Sequence, residues 1–264
     1  MPIPAPAHGS AALVTGASSG IGRALARQLA DRGYDVILVA RRRDRLDALA
    51  DELRAAGRRA EPVAADVSVP TDRARLVDAV DALGLTVNVL ALAAGFGLGG
   101  RLLEQDPERL QLMIRTNFEG TVGLTRLVAP QMAARGAGAI LIISSIAGNQ
   151  PMPGFAAYAA SKAALTSFGE SLQEELRPSG VTVSVLCPGG VETEFAEVGG
   201  VVTAHRRVPR ILHLTPEACA TEGLRALERG RRRHVPVPAV RLMFFISGHL
   251  PRSLWLRGCA RLMS

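Results

Sequence analysis

The sequence predicts an α/β fold: a single domain in which helices cover both faces of a mainly parallel, doubly wound sheet. Short, continuously apolar runs alternate along the chain with longer segments whose apolar residues recur at helical spacing. Strands that are apolar on both sides need helices above and below them, which is typical of parallel sheets. A glycine-rich turn between the first run and the first helical segment indicates the same, Rossmann-type arrangement.

The predicted elements follow one another without an internal linker, so one domain accounts for residues 11–237. Strands are expected at 11–16, 35–40, 62–67, 87–95, 139–144 and 181–186, and helices at 21–33, 44–57, between 67 and 87, at 107–134 and at 155–177. Residues 1–10 are expected to form a flexible lead-in, and residues 238–264 a C-terminal extension of the same domain. The periodicity is broken at 191–213, where we expect a mobile loop over the substrate.

The composition limits the classes of function that are open to this chain. Its 264 residues are 48% hydrophobic and include three widely separated cysteines, so neither a disulfide framework nor a metal site is predicted. No stretch is apolar enough to span a bilayer and the N-terminus lacks a signal-peptide pattern, which favours a cytoplasmic protein. The net charge is +7, but the arginines are scattered along helices and only 4% of the residues are aromatic, so no nucleic-acid partner is expected.

The turn TGASSGIG lies between the first strand and the first helix, where a doubly wound fold binds the pyrophosphate of a dinucleotide. Its glycines let the backbone approach the ligand, and the helix N-terminus offers N–H groups and a positive dipole. The cofactor-binding residues expected here are Gly16, Ser18, Ser19, Gly20, Ile21 and Gly22.

Two other interpretations of this turn remain open. It can be a purely structural glycine-rich turn. The spacing of Gly16, Ser18 and Gly20 is also that of a hydrolase nucleophile elbow, which would need a histidine later in the chain, such as His205 or His213.

The end of the second strand indicates which dinucleotide is preferred. An acidic residue at this place would hold the ribose hydroxyls of NAD, but the chain has Arg41, Arg42 and Arg43 before its first acid, Asp44. A guanidinium pairs well with a phosphate dianion, so NADP(H) is favoured over NAD(H). The alternative is that these arginines are only a solvated charge run at the start of a helix.

The sequence YAASK, residues 158–162, contains the single lysine of the chain, since the other 30 of its 31 basic residues are arginine. Tyr158 and Lys162 are four residues apart near the start of a helix, so both side chains can point into one site. A positive charge is expected to lower the pKa of the phenol from its usual value of about 10. Ser145, at the end of the fifth strand, can donate a hydrogen bond to a substrate carbonyl oxygen.

These residues and a dinucleotide together predict hydride transfer assisted by a tyrosine acid–base. The simpler alternatives are that Ser145 is an ordinary strand-end hydroxyl, that Asn117 is a tolerated polar residue within a helix, and that Tyr158 and Lys162 are a surface pair.

TGASSGIG, Ser145, YAASK and PGGVET at 188–193 together resemble the short-chain dehydrogenase/reductase family over about residues 10–235. The resemblance implies a Rossmann-fold enzyme that uses NAD(P)(H), commonly as a homodimer or homotetramer. It implies that Tyr158 is the catalytic acid–base, that Lys162 lowers its pKa and binds the nicotinamide ribose, and that Ser145 orients the carbonyl. Asn117 would complete a proton relay through a water. Further cofactor contacts implied by the family are Asp66, Val67, Ala94, Gly95, Pro188, Gly189, Val191 and Thr193.

One motif departs from the family pattern. The family commonly has Asn-Asn-Ala-Gly after the fourth strand, whereas this chain has Leu92, Ala93, Ala94 and Gly95. The side-chain hydrogen bonds of both asparagines are lost, which predicts a less rigid segment and a weaker hold on the cofactor. This departure leaves a second hypothesis open, an NADP(H)-binding regulatory or scaffold protein with weak or no turnover.

The substrate side is predicted in outline. The loop 191–213 contains Phe195, Val198, Val201 and Val202, which indicates an apolar carbonyl or alcohol such as a ketone, a 3-oxoacyl compound or a steroid-like molecule. The extension 238–264 places Trp255 and other apolar residues among four arginines. This pattern fits a peripheral contact with the inner face of a membrane, or alternatively a hydrophobic lid or an oligomer contact. The four arginines are Arg241, Arg252, Arg257 and Arg261.

Overall fold

The structure, a computed structural model, describes residues 3–195, 199, 213–248 and 251–263. Most of the predicted substrate loop therefore lies outside the described residues, and with it His205, Val198, Val201 and Val202. Among the described residues, no helix is both long and apolar enough to cross a membrane.

Seven strands form one parallel sheet in the order β3-β2-β1-β4-β5-β6-β7. The strand order reverses direction at β1. Strands β2 and β3 follow on one side of β1, and β4 and the later strands lie on its other side. Doubly wound folds bind ligands at this switch point. The predicted fold class is confirmed. The strands are β1 (Ser10–Thr15), β2 (Asp35–Ala40), β3 (Ala60–Ala64), β4 (Thr86–Leu92), β5 (Gly138–Ile143), β6 (Val181–Leu186) and β7 (Arg233–His234).

Helices cover both faces of the sheet, as the continuously apolar strands require. On one face, Leu25 and Leu29 of the first helix join a core with Leu38 of β2, and on the other face Leu124 and Met132 pack with Ile140 of β5. The helices are α1 (Gly20–Asp31), α2 (Arg43–Ala55), α3 (Pro70–Ala82), α4 (Pro107–Ile114), α5 (Gly120–Arg135), α6 (Ala156–Leu176), α7 (Pro216–Glu228), α8 (Pro238–Gly248) and α9 (Arg252–Met263).

The helix predicted at 107–134 is divided in the structure by a turn of π-helix at Arg115–Glu119, between α4 and α5. Apolar periodicity does not reveal such a turn, which inserts extra residues without ending the helix. Single π-helical turns often occur at functional sites. This one contains Asn117, whose side chain is completely buried.

The strand register brings the predicted site residues to one edge of the sheet. Thr15, the last residue of β1, pairs with Val39 of β2 and Leu92 of β4, and Leu92 pairs with Ile142 of β5. The carboxyl ends of these parallel strands are therefore level. The glycine turn, residues 93–95 and Ser145 all follow directly from them.

Candidate active site

The carboxyl ends of β1, β4 and β5 open into a cleft of about 480 Å³. Nearly all predicted site residues line it, and the exception is Asn117, which is fully buried beside the cleft wall. The predicted residues at its surface are Gly16, Ser18, Ser19, Gly20, Ile21, Gly22, Arg41, Arg42, Asp66, Val67, Ala94, Gly95, Ser145, Tyr158, Lys162, Pro188, Gly189, Val191 and Thr193.

The glycine turn is packed so closely that side chains would not fit. Gly16 has a φ of +70°, and a Cβ on it would lie 2.8 Å from the carbonyl oxygen of Ala93. A Cβ on Gly22 would lie 2.3 Å from the carbonyl oxygen of Gly16. Ser19 precedes α1 without capping it by its side chain, so the first-turn N–H groups keep their capacity to bind an anion. These features fit the pyrophosphate of a dinucleotide.

Ser145, Tyr158 and Lys162 meet in the middle of the cleft, and all three are buried. A hydrogen bond joins Tyr158 to Ser145. The Lys162 ammonium donates to the carbonyl oxygen of Ile143 at 3.0 Å, and it lies 5.9 Å from the centroid of the Tyr158 ring. The serine, tyrosine and lysine predicted from separate motifs are thus brought together.

Burial controls the protonation of this pair. It raises the pKa of Tyr158 to about 12, and the hydrogen bond to Ser145 opposes this rise. Burial also lowers the pKa of Lys162 to about 8. The prediction of a tyrosine pKa below 10 is wrong for the protein groups alone, because loss of hydration of the phenolate outweighs its favourable contacts.

Asn117 forms hydrogen bonds that connect two segments of the cleft wall. Its Oδ1 accepts from the backbone N–H of Phe96 at 3.0 Å, and its Nδ2 donates to the carbonyl oxygen of Phe96 at 2.9 Å and to Ser161 Oγ at 3.2 Å. The side chain therefore connects the segment after β4 to α6. This amide is occupied by protein partners, so its direct effect in the structure is to position neighbouring residues.

The segment that lacks the two asparagines is fixed through its backbone. Thr15 Oγ1 accepts from the N–H groups of Ala93 and Ala94 at 3.0 and 3.1 Å. The next residues are held by the contacts of Asn117 with Phe96. Thr15 and Asn117 thus supply hydrogen bonds to the segment that lacks both asparagines.

Arg42, rather than Arg41, makes the closest contacts with the glycine turn. Its guanidinium donates to Ser18 Oγ at 3.0 Å and to Ser19 Oγ at 2.9 Å, and its Nη1 donates to Glu194 Oε2 at 2.9 Å. Arg41 is more exposed, and its Nη1 lies 3.7 Å from Asp66 Oδ2. Both arginines line the cleft, where a cofactor phosphate would meet positive charge.

Asp66 is engaged by the chain itself. Its Oδ1 accepts from the N–H and the hydroxyl of Ser68 at 2.9 and 2.7 Å. These bonds fix the turn before α3 and direct Asp66 and Val67 to the cleft wall. This placement agrees with the adenine-side role that the family resemblance implies, and it adds a structural role for the carboxylate.

The hydrolase interpretation finds no support at the glycine turn. Ser18 Oγ accepts hydrogen bonds from Arg42, and none of the described residues that line the cleft is a histidine. A nucleophilic serine needs an adjacent base to take its proton. His213 is described near Gly190, and His205 lies outside the described residues.

Three residues with contacts at the site were not predicted from the sequence: Thr15, Thr116 and Glu194. Thr116 Oγ1 is buried in the cleft wall and has no hydrogen-bond partner among the described residues, so it can bind a ligand or a water. The Phe195 ring lies 5.4 Å from the Tyr158 ring, centroid to centroid. Thr15 could have been suspected as a polar residue ending an apolar strand.

A family model described as short chain dehydrogenase matches residues 10–199. An uncharacterized oxidoreductase of Myxococcus xanthus is 42% identical over 184 residues, which cover 70% of this chain and 73% of that protein. A very-long-chain 3-oxoacyl-CoA reductase of Podospora anserina is 37% identical over 197 residues, which cover 72% of this chain and only 57% of that longer protein.

Similar solved structures extend the likeness to the whole fold. A short-chain dehydrogenase of Sphingobium yanoikuyae in complex with NADPH superimposes with a TM-score of 0.81 and 31% identity, covering 90% of this chain and 93% of that one. The similar structures include complexes with NADPH and with NAD. The glycine turn, the buried tyrosine and lysine, and the cleft at the switch point are thus found in a chain that resembles known dinucleotide-binding proteins along most of its length.

Proposed function

Because the chain belongs to the short-chain dehydrogenase/reductase family of oxidoreductases, we propose that it catalyses NADPH-dependent reduction of a lipophilic ketone or aldehyde, or the reverse oxidation of an alcohol. The observation that carries this proposal is the buried meeting of Ser145, Tyr158 and Lys162 beside the glycine turn. The reduced nicotinamide supplies a hydride to the carbonyl carbon when it is bound. Tyr158 supplies the proton to the carbonyl oxygen.

The protonation of the site suits the reductive direction. A tyrosine whose pKa is about 12 is a neutral phenol at physiological pH, so it holds the proton that the developing alkoxide needs. Ser145, already hydrogen-bonded to Tyr158, orients the carbonyl oxygen. Lys162, with a pKa near 8, can carry or release a proton near neutral pH, which arginine cannot. This difference explains the one lysine in an arginine-rich chain.

Arg42 is proposed as the residue that favours NADP(H). Its guanidinium stands between the serines of the glycine turn and the start of α2, and no acid follows β2 directly. A 2′-phosphate would form an ion pair with hydrogen bonds there, whereas the neutral 2′-hydroxyl of NAD would form no ion pair. Arg41 adds a second positive charge on the same cleft wall.

The proposed substrate is apolar next to its carbonyl group. The described cleft wall around Tyr158 includes the aromatic and thioether side chains of Phe96, Met152, Phe155 and Phe195. Apolar walls with few polar groups bind apolar ligands and orient them by one or two hydrogen bonds. The relative from Podospora anserina is named for a very-long-chain 3-oxoacyl-CoA substrate, which makes long acyl ketones a first choice for screening.

The C-terminal extension is proposed as a peripheral contact with an anionic membrane, at the inner face of the cytoplasmic membrane. The extension and the nine residues before it, 229–264, contain eight arginines and no acidic residue. Residues 1–228 contain 23 Lys or Arg residues and 24 Asp or Glu residues. Leu242 and Met243 of α8 and Leu256 of α9 are exposed beside these arginines. Such a mixture binds the interface of anionic lipids. The Trp255 indole donates to the carbonyl oxygen of Pro151 at 3.1 Å, so the extension contacts the residue that precedes Met152 of the cleft wall.

Vesicle sedimentation tests the membrane proposal. The protein should sediment with vesicles that contain phosphatidylglycerol and not with pure phosphatidylcholine. A variant with Arg252→Glu and Arg257→Glu should lose this binding, whereas Arg58→Glu, which reverses an exposed charge elsewhere, should keep most of it. Equal sedimentation of the three proteins would reject the proposal.

A homodimer or homotetramer is proposed from the family resemblance. Exposed apolar side chains on α4 and α5, Ile114 and Leu127, provide surface for such a contact. Light scattering of the full chain would give the mass directly, and a monomer at micromolar concentration would contradict the proposal.

The catalytic proposal is tested in two steps. NADPH and NADH are first titrated by fluorescence, and ketones of graded chain length are then screened with the preferred cofactor. Tighter binding of NADPH and turnover that rises with chain length are expected. Tight NADPH binding without turnover of any carbonyl would favour the scaffold hypothesis instead.

A further inference from the structure

Glu194 brings a carboxylate to the start of α2 from a distant part of the chain. It lies in the segment Thr193–Phe195, which we call the strap, and its side chain bridges two arginines. Glu194 Oε2 accepts from Arg42 Nη1 at 2.9 Å, and Oε1 accepts from Arg45 Nη1 at 2.5 Å. Both contacts hold the pKa of Glu194 below its usual value, so the group is a carboxylate at neutral pH.

The bonds of Arg42 show what this carboxylate occupies. A guanidinium has five N–H donors in a fixed plane. The Nε and Nη2 edge of Arg42 donates to Ser18 and Ser19, whereas the Nη1 end donates to Glu194. A phosphate that approaches Arg42 without breaking its bonds to the glycine turn would therefore meet Glu194 at the remaining donors. Two anions would then compete for one cation.

The same carboxylate has a different relation to a cofactor without that phosphate. In NAD-binding proteins of this fold, an acid at the end of the second strand accepts a hydrogen bond from the ribose 2′-hydroxyl. This chain has no acid at that place, but Glu194 supplies one beside Arg42. The adenosine end of the cleft thus contains both an arginine and a carboxylate, which favour opposite cofactors.

We propose that Glu194 is a specificity-determining residue that competes with the cofactor 2′-phosphate for Arg42 and so limits the preference for NADP(H) over NAD(H). This inference rests on the proposed NADP(H)-dependent function. Binding of the phosphate displaces the carboxylate from Arg42, whereas NAD(H) binds with the ion pair intact.

The other residues of the strap contact the glycine turn and the catalytic tyrosine. Phe195 follows Glu194 directly, and its ring packs against Tyr158 and against the backbone of Gly97, where an added Cβ would lie 2.4 Å from Phe195 Cζ. A Cβ added to Gly20 of the glycine turn would lie 2.8 Å from Thr193 Cγ2. Three consecutive residues therefore contact the phosphate turn, the arginines and the catalytic tyrosine.

The experiment compares Glu194→Gln with wild type by fluorescence titration of NADPH and NADH. Loss of the competing charge is expected to tighten NADPH binding about tenfold, the size of one charge-assisted hydrogen bond. NADH binding should stay unchanged or weaken. Titration with 2′,5′-ADP and 5′-AMP isolates the phosphate, since neither contains nicotinamide, and only 2′,5′-ADP should gain affinity.

Glu192→Gln is the matched control. Glu192 is exposed and lies two residues before Glu194, so this variant removes the same charge from a neighbouring position. It should leave both affinities nearly unchanged. Equal tightening in the two variants would reduce the effect to general electrostatics and overturn the proposal, as would weaker NADPH binding in Glu194→Gln. Failure of the proposed function is separate: it would appear in the wild type, as NADPH binding no tighter than NADH.

Discussion

The two sides of the cleft are held by different kinds of contact. The wall formed by β5, α6 and the π-helical turn is fixed by side chains that bond to backbone groups: Lys162 donates to the carbonyl oxygen of Ile143, and Asn117 bonds to both backbone groups of Phe96. The strap is held by its side chains, through the ion pairs of Glu194 and the ring contact of Phe195. A ligand with a phosphate or an apolar group can replace the contacts of the strap. We therefore expect the wall to carry proton transfer and the strap to affect the choice between NADP(H) and NAD(H).

The largest effect is expected from removing the proton donor of the wall. Tyr158→Phe should lower turnover by about 10²–10⁴-fold, the usual contribution of a positioned acid–base, and should leave NADPH affinity nearly intact. Steady-state kinetics and fluorescence titration measure the two quantities. Tyr34→Phe is the natural control, since Tyr34 is the only other tyrosine and its hydroxyl bonds to Pro4. Turnover retained in Tyr158→Phe would remove the tyrosine from the chemistry.

A second test disturbs the glycine turn, which both sides of the cleft adjoin. Gly22→Ala places a methyl group 2.3 Å from the Gly16 carbonyl oxygen, so the turn must shift. We expect a destabilisation of about 1–3 kcal/mol and a loss of affinity for both cofactors. Gly258→Ala in α9 introduces the same methyl at a position where no atom of the described residues lies within 4 Å. Denaturant unfolding should show a loss only in Gly22→Ala, and unchanged cofactor binding there would contradict the assigned role.

Arg42→Ala removes the positive charge that pairs with Glu194 of the strap. NADPH affinity should fall by about 10–100-fold, because a hydrogen bond to a charged group contributes about 1.5–3 kcal/mol. NADH affinity should change less. Arg43→Ala removes a neighbouring arginine that is exposed and paired with Asp47, so it serves as the control. Equal losses of affinity for NADPH and NADH would show that Arg42 does not bind the 2′-phosphate.

The smallest effect is a pH-dependent change in stability at Lys162. Below pH 8 the lysine is charged in the folded and the unfolded protein, so folding carries the full cost of burying the charge. Between pH 8 and 10.5 the folded protein binds fewer protons than the unfolded one, and stability rises with pH. Lys162→Met avoids this cost. Its melting temperature relative to wild type should therefore be highest near neutral pH and should decrease as the pH rises.

Melting curves from pH 7 to about 9.5 suffice for this test. The raised pKa values of Tyr158, Cys187 and Cys219 lower the stability of both proteins at higher pH, so they affect the difference between the two proteins little. A difference between the two proteins that is constant over this range would contradict the lowered pKa of Lys162.

Much of the wall could be predicted from the sequence, because local rules determine it. Continuous apolar runs identified the strands, and the register of β1, β4 and β5 then required the glycine turn and Ser145 to meet. The spacing within YAASK put Tyr158 and Lys162 on one helical face. These predictions need only periodicity, turn chemistry and the fact that parallel strands end at one edge.

The strap could not be predicted in this way. Glu194 is separated from Arg42 by 152 positions in the sequence, and nothing in the local pattern connects them. The choice of Arg42 over Arg41 also depends on the direction in which β2 ends. The pKa of Tyr158 was predicted in the wrong direction because the degree of burial is a property of the assembled cleft.

The most direct test of the role of the strap in cofactor selectivity is a double-mutant cycle that measures NADPH affinity. The four proteins are wild type, Arg42→Ala, Glu194→Gln and the variant with both changes, and NADH titrations serve as the reference for each. If Glu194 acts by competing for Arg42, its substitution should tighten NADPH binding in the wild-type background and have a much smaller effect in the Arg42→Ala background. The same tightening in both backgrounds would contradict the account.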